Sequence, residues 1–405
     1  MYGFIKVAAA VPSVRVADCK FNTTQIEGMM ARAEGLGVEI IVFPELSITG
    51  YTCQDLFQQQ ILLEEAETSL LKIMEFSHNL NITTIVGLPL AYDGMLLNCA
   101  AIIQGGKIYG IVPKTYIPNY KEFYEARWFS SASRLGRQEQ INFFGQQIPC
   151  GDHLLFNNGR FTVGVEICED IWATIPPSSK LSLHGAEIIF NLSSSNELVG
   201  KNAYLKGLIS NQSARCISGY VYAGSGYGES TQDIVFSGLG FIAENGHILE
   251  EGKRFSMQEQ LIVSEIDIDS LRQERRVNTT FASVKDLMQQ SDKGTYFQIE
   301  MNPTILDKEC FTLTRKIPSH PFVPSSDKID ECCEEIISIQ SEGLAKRIDH
   351  THAETVVIGI SGGLDSTLAL LVCVNAFDRL KKNRKGIVGI TMPGFGTTDR
   401  TYNNA

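Results

Sequence analysis

The stretch RFTVGVEICEDIW, residues 160–172, is mostly apolar up to Cys168 and acidic just after it. A short apolar run of this kind reads as a buried strand, and its end is where a rigid backbone can present a reactive side chain. The thiol at that end has Glu166, Glu169 and Asp170 as close chain neighbours. Carboxylates nearby disfavour a thiolate, because a second negative charge raises the thiol pKa. A buried structural cysteine has no need of them. A nucleophile tolerates them only if a base takes its proton and a cation offsets its charge.

Two other apolar runs end in suitable groups: IIVFPE at Glu45 and IYGIVPK at Lys114. Glu45 could take the thiol proton and later activate water. Lys114 could supply positive charge beside the thiolate and at the oxyanion of a tetrahedral intermediate. Cys168 would then attack an amide carbonyl, form a thioester and expel ammonia. Taken singly, each has a plainer reading: a packed thiol, a rim glutamate, a solvated lysine.

The segments around these runs alternate between strand and helix patterns. FIKVAAAVP, VEIIVFPE, ITTIVGLPLAY, RFTVGVEIC, AEIIFNLS and GYVYAGSGYGES read as strands. LLNCAAIIQGGKIYGIVPK reads as a hairpin turning at Gly105-Gly106. NTTQIEGMMARAEGLG, with Asn or Thr caps, and LEEAETSLLKIMEFSHNLN read as helices. Hairpins and crossovers together predict an α/β layered domain with a mixed sheet over residues 1–292. Residues 293–325 are proline-rich and lack a periodic face, which predicts a connector. Residues 326–405 then give a helix and a strand, glycine loop, helix, strand sequence, the first βαβ part of a doubly wound domain. Such a domain needs further strands, so an incomplete second domain is expected.

Charge and composition narrow the classes. The formal net charge of −11 over 405 residues argues against general nucleic-acid binding, which needs a basic footprint. Ten cysteines without a CxxC pair or regular disulfide spacing suit a reducing, cytoplasmic setting. Neither a signal peptide nor a membrane-spanning run is evident, so a soluble protein is expected. The adjacent Cys332 and Cys333 occupy a predicted helix, and His350 and His352 its solvated end rather than a metal site.

The local words carry more than the three residues do. FPELSITGY, PKTYIPNYKEFYEARWF, EICEDIWATIPPS and NLSSSNELVGK resemble the nitrilase, or carbon–nitrogen hydrolase, superfamily in its glutamine-amidase form, across roughly residues 1–290. The resemblance implies an α-β-β-α sandwich, a Glu45–Lys114–Cys168 triad and a further glutamate at Glu125. It implies that Glu169 and Tyr120 take the ammonium of glutamine, with the Glu169 backbone N–H aimed at the oxyanion. Lys201 and Ser195 would lie by the α-carboxylate, and Tyr51 and Phe123 would line the pocket. Lys201 stands where relatives often carry arginine, which keeps the charge but loses the bidentate fork. No metal is implied for this domain.

SGGLDST, residues 361–367, resembles the pyrophosphate loop of ATP pyrophosphatases. By that resemblance Ser361, Gly362, Gly363, Asp365 and Ser366 cradle pyrophosphate with Mg²⁺. A nitrilase-type amidase joined to this loop resembles the family of glutamine-dependent NAD(+) synthetases, carbon–nitrogen ligases in which ATP adenylates deamido-NAD(+) and ammonia from glutamine displaces AMP. The partners implied are glutamine, ATP and deamido-NAD(+), with a homo-oligomer as the usual assembly. The expectation for this chain alone is the glutaminase half. The alternatives are a free amidase or nitrilase on another small amide, which would lack a use for the Ser361 loop, an ATP pyrophosphatase of tRNA thiolation, and a non-catalytic remnant.

Overall fold

The computed structural model describes residues 3–136, 139–292, 295–304, 311–324, 328–392, 394 and 399–404. The chain divides into two compact units, Met1–Arg315 and Lys316–Ala405.

Strand Phe4–Val11 shows how the first unit is layered. Its period of two sends Ile5, Val7, Ala9 and Val11 into one core, and Ala8 and Ala10 into another. It belongs to an eight-stranded sheet in the spatial order Gln260–Asp267, Phe4–Val11, Ile40–Val42, Thr83–Tyr92, Met95–Gln104, Lys107–Pro113, Gln146–Cys150, Glu139–Phe143. A seven-stranded sheet runs His247–Glu251, Gly240–Glu244, Gly219–Gly224, Ile188–Ser193, Thr162–Ile167, Leu154–Asn157, Phe297–Glu300. Both mix parallel and antiparallel pairs. Val7, Val42, Val165, Phe190 and Val221 share the core between the sheets. Helices Cys19–Gly35 and Gln60–Phe76 cover the outer face of the first sheet through Ile26, Met29 and Leu70. Pro177–Leu183 and Lys201–Cys216 cover that of the second through Leu181 and Ile209. The result is the expected α-β-β-α sandwich.

Several local expectations change. The first helix is capped by Asp18, whose carboxylate accepts the Phe21 N–H, rather than by the Asn or Thr residues that follow. The strand expected over GYVYAGSGYGES stops at Gly224, and the remainder is loop. Part of the expected connector is built into the first unit. Phe297–Glu300 adds a strand parallel to Leu154–Asn157. Buried Glu265 accepts the backbone N–H groups of Thr314 and Arg315 at 3.0 and 2.8 Å. Lys6 donates to the Thr312 carbonyl at 2.6 Å. A segment without an apolar face is thus ordered by buried charges that satisfy its backbone.

In the second unit helix Ile329–Thr351 packs on helix Leu364–Arg379 through Ala345, Ile348, Ala376 and Phe377. Strands Val356–Gly359 and Ile387–Ile390 pair in parallel, completing the predicted βαβ. Residues 393 and 395–398 of the segment that follows lie outside the described residues. Among the described residues no helix is long and apolar enough to cross a membrane.

Candidate active site

Glu45, Lys114, Glu125 and Cys168 come together in the first unit, with exposures of 1%, 0%, 3% and 6%. Lys114 Nζ lies 2.6 Å from Glu45 Oε1 and 2.8 Å from Glu125 Oε2, so one ammonium bridges two carboxylates. Burial would strip its proton, but Glu125 and Glu45 outweigh burial and hold Lys114 well above the ordinary lysine range. Burial pushes the Glu125 carboxyl up to about 7, and Glu45 adds to this against the pull of Lys114 and Tyr51.

Cys168 sits at the turn from strand Thr162–Ile167 into a short 3₁₀ helix, with φ +45°. A non-glycine residue in this region is held there by its surroundings. Its N–H donates to Asn191 Oδ1 at 3.2 Å. Asp170 accepts the N–H groups of Ile167 and Tyr116, at 2.9 and 2.8 Å, which ties the turn to the segment after Lys114. Glu166 accepts from the Ser178 N–H and the Tyr220 hydroxyl. Two of the three acidic neighbours are therefore structural. Burial raises the Cys168 thiol above its ordinary range; Glu45 adds to this, while Lys114 and the Ser194 backbone N–H oppose it.

Asn98 donates to Glu45 Oε1 at 2.7 Å, alongside Lys114. The other oxygen, Oε2, is buried with no hydrogen-bond partner among the described residues, which leaves it open to receive a proton. The Tyr51 hydroxyl donates to Glu125 Oε1 at 2.7 Å, so this predicted lining residue touches the buried cluster directly.

The predicted binding residues form a rim beside this cluster. Tyr120, half exposed, donates its hydroxyl to Glu169 at 2.8 Å. Burial raises the Glu169 carboxyl, against the pull of Tyr120 and Lys114. Phe123 stands edge-on to Tyr120 with centroids 6.3 Å apart. Lys201 Nζ donates to Asn196 Oδ1 at 2.8 Å and lies 5.3 Å from the Trp172 ring and 6.0 Å from that of Phe123. Ser195 lies half-buried between Ser194 and Asn196. Tyr51, Phe123 and Glu125 also border a pocket whose mouth carries Gln54, Tyr124 and Asp233.

Asn98, Asn191, Ser194, Trp172 and Asn196 were not foreseen. Asn98 and Asn191 had a signal: each is a polar residue inside an apolar strand, LLNCAAII and AEIIFNLS, and a buried amide needs partners.

In the second unit, Gly362 takes φ +74° and Gly363 precedes helix Leu364–Arg379, with Asp365 in its first turn. The Ser366 hydroxyl donates to the Gly363 carbonyl at 3.0 Å and accepts from the Ser361 N–H at 3.3 Å. A Cβ built on Gly363 would meet nothing closer than Ser361 Oγ at 3.5 Å, so the loop is open above its backbone. Among the described residues no group of three His, Cys, Asp or Glu side chains could hold a metal ion.

A family model described as carbon–nitrogen hydrolase matches residues 6–276, and one described as NAD synthase matches residues 336–405. The chain is 35% identical to the glutamine-dependent NAD(+) synthetase of Mycobacterium tuberculosis, covering all of this chain and 60% of the relative. It is 28% identical to that of Thermotoga maritima, covering 99% of this chain and 62% of the relative. The chain thus spans about three fifths of the length of the curated relatives it matches. Among solved structures, a glutamine-dependent NAD(+) synthetase from Cytophaga hutchinsonii aligns over 98% of this chain and 62% of its own, at TM-score 0.59 and 21% identity. An amidase of the nitrilase superfamily from Nesterenkonia aligns over 70% of this chain and 98% of its own, at TM-score 0.53 and 17% identity.

Proposed function

The chain belongs to the carbon–nitrogen hydrolase family, and from that membership we propose that its first unit hydrolyses the side-chain amide of glutamine at Cys168. One observation carries the reading: a single buried ammonium, Lys114, holds Glu45 and Glu125, and these three charges act on the thiol of the strained turn at Cys168.

The thiol proton passes to Glu45 Oε2, so the raised thiol pKa is met by a transfer inside the cluster that leaves its net charge unchanged. The sulfur then attacks the carboxamide carbon. Lys114 and the Glu169 N–H, an amide in the first turn of the 3₁₀ helix with no intrahelical partner, stabilise the oxyanion. Collapse breaks the C–N bond, Glu45 returns its proton to the nitrogen, and ammonia leaves a thioester on Cys168. Glu45 next takes a proton from water, and the hydroxide attacks the thioester carbonyl and breaks the C–S bond. Glu45 passes that proton to the departing Cys168 sulfur, and glutamate leaves with the thiol and the base both restored. Glu169 and Tyr120 would hold the substrate ammonium and Lys201 its carboxylate.

The relatives' printed names and the match over residues 336–405 support a use for the ammonia: amidation of deamido-NAD(+) at the expense of ATP. In that reading Ser361, Gly362, Gly363, Asp365 and Ser366 hold the pyrophosphate moiety. Their open backbone and clustered hydroxyls fit an anion, and Asp365 is a single carboxylate suited to a Mg²⁺ that arrives on ATP. A reducing, cytoplasmic setting would keep the nucleophile a free thiol.

The test is ammonia release from L-glutamine by this chain and by Cys168→Ala. Release that disappears in the variant supports the reading. Release that persists in the variant, or a preference for nitriles or ω-amides over glutamine, would overturn it.

A further inference from the structure

Glu229 is a buried carboxylate with no part in the steps above. It lies in the loop after strand Gly219–Gly224, is 6% exposed, and accepts three hydrogen bonds from one dipeptide. The Tyr51 N–H reaches Oε1 at 2.8 Å, and the Thr52 N–H and hydroxyl reach Oε2 at 3.0 and 2.6 Å. The clasp is two-sided, since the Ser230 N–H donates to the Thr52 hydroxyl at 2.8 Å. Chain geometry brings Glu229 there: a Cβ on Gly228 would fall 2.0 Å from the Val14 carbonyl oxygen, so only glycine lets the loop run this close. At the other end of the clasped dipeptide, the Tyr51 hydroxyl bonds Glu125.

We propose that Glu229 is a positioning residue for the amidase: by fixing the backbone of Tyr51 and Thr52 it holds the Tyr51 hydroxyl on Glu125. This rests on the reading of the Cys168 site given above. Residue types alone would not suggest it, because Glu229 touches neither the nucleophile nor the rim. An ionised carboxylate that accepts three donors is a strong anchor, whereas alanine would take the acceptor from the half-buried Tyr51 and Thr52 N–H groups. The groups that act on Glu125 are Lys114, Glu45 and Tyr51, and burial together with Thr52 and the Tyr51 backbone governs Glu229 itself.

The experiment is the pH profile of iodoacetamide alkylation at Cys168, read by peptide mass spectrometry on the full chain, for wild type, Glu229→Ala, Tyr51→Phe and the double variant. Ionisation of Glu125 adds a negative charge near the thiol, so the profile should inflect near pH 7. Losing the Tyr51 hydroxyl removes a bond to the carboxylate, so the inflection should move upward by about half a pH unit or more. Glu229→Ala should reproduce this shift, and the double variant should move no further than Tyr51→Phe. A wild-type profile in Glu229→Ala, or shifts that add in the double variant, would overturn the proposal. If Glu229→Ala does not fold, Glu229→Gln, which keeps the shape but replaces one of the two acceptor oxygens by an NH2 donor, serves instead with a shift in the same direction. Because alkylation needs no glutamine, a failure of the glutaminase reading appears separately, as ammonia release that survives Cys168→Ala.

Discussion

The backbone N–H of Cys168 is directed into the second sheet, where Asn191 Oδ1 on strand Ile188–Ser193 accepts it at 3.2 Å. The same oxygen accepts the Ser193 hydroxyl at 2.7 Å, and the Asn191 amide donates to the Tyr220 hydroxyl at 3.0 Å. The strained turn is therefore locked from behind by a fully buried polar network, and the amide of Cys168 is unavailable to an oxyanion. Asn191→Ala should lower kcat for glutamine by about 100-fold through misplacement of the thiol, with KM changed by less than about threefold. Steady-state kinetics normalised to titrated thiol check this. An unchanged kcat would mean that the turn holds itself.

Lys114 is the sole cation between Glu45 and Glu125 in the hydrogen bonds described. Lys114→Met would leave both carboxylates buried without it. Breaking a buried pair from one side typically costs about 3–5 kcal/mol, because the remaining charge is uncompensated. Urea unfolding should show a loss of that order, with amidase activity abolished. Adding Glu125→Gln to Lys114→Met should recover part of the stability. Strictly additive losses would contradict the shared-charge account.

Glu125, raised from about 4.5 to about 7, makes stability fall as pH rises. Below about 4.5 the carboxyl is protonated in both folded and unfolded chains. Between these values the folded protein keeps a proton that the unfolded chain has released, so the native state is favoured less as pH increases through this window. Above about 7 the loss is complete. Glu125→Gln cannot titrate, so its unfolding free energy should decline less between pH 5 and pH 7.5 than that of wild type, by roughly 1–3 kcal/mol. Equal slopes in paired urea titrations would place the ionisation elsewhere.

Short apolar runs made the strands that lead into Glu45, Lys114 and Cys168 legible, because a buried strand stands out in sequence. The bridging position of Lys114 was not legible, since the two carboxylates it joins lie 69 and 11 residues from it along the chain. Asn98 and Asn191 could have been found as polar interruptions of apolar strands. Glu229 could not: its loop has no periodicity, and its partners Tyr51 and Thr52 are 178 and 177 residues away. Phe297–Glu300 and Thr314–Arg315 misled for a related reason: strand pairing holds the first and hydrogen bonds to Glu265 hold the second, rather than an apolar face of their own.

Lys201 gives a prediction that separates binding from chemistry. Its ammonium is held by Asn196 and lies near the faces of Trp172 and Phe123, in the half-buried rim rather than in the cluster around Cys168. Burial lowers its pKa, against Cys168, Glu122, Glu197 and Glu169, and a substrate carboxylate would add to the groups that favour its charge. A charge that meets the α-carboxylate equally in ground and transition states changes KM and leaves kcat alone. Lys201→Ala should therefore raise KM for glutamine by about 10-fold or more, with kcat within about threefold. Lys201→Arg should retain binding, since the fork can still reach a carboxylate. The sharper comparison uses 4-aminobutanamide, which keeps the amide and the amine but lacks the carboxylate. Its kcat/KM should be the same in wild type and Lys201→Ala. If the variant loses activity on both amides equally, Lys201 acts on the rim's structure and the α-carboxylate is held elsewhere.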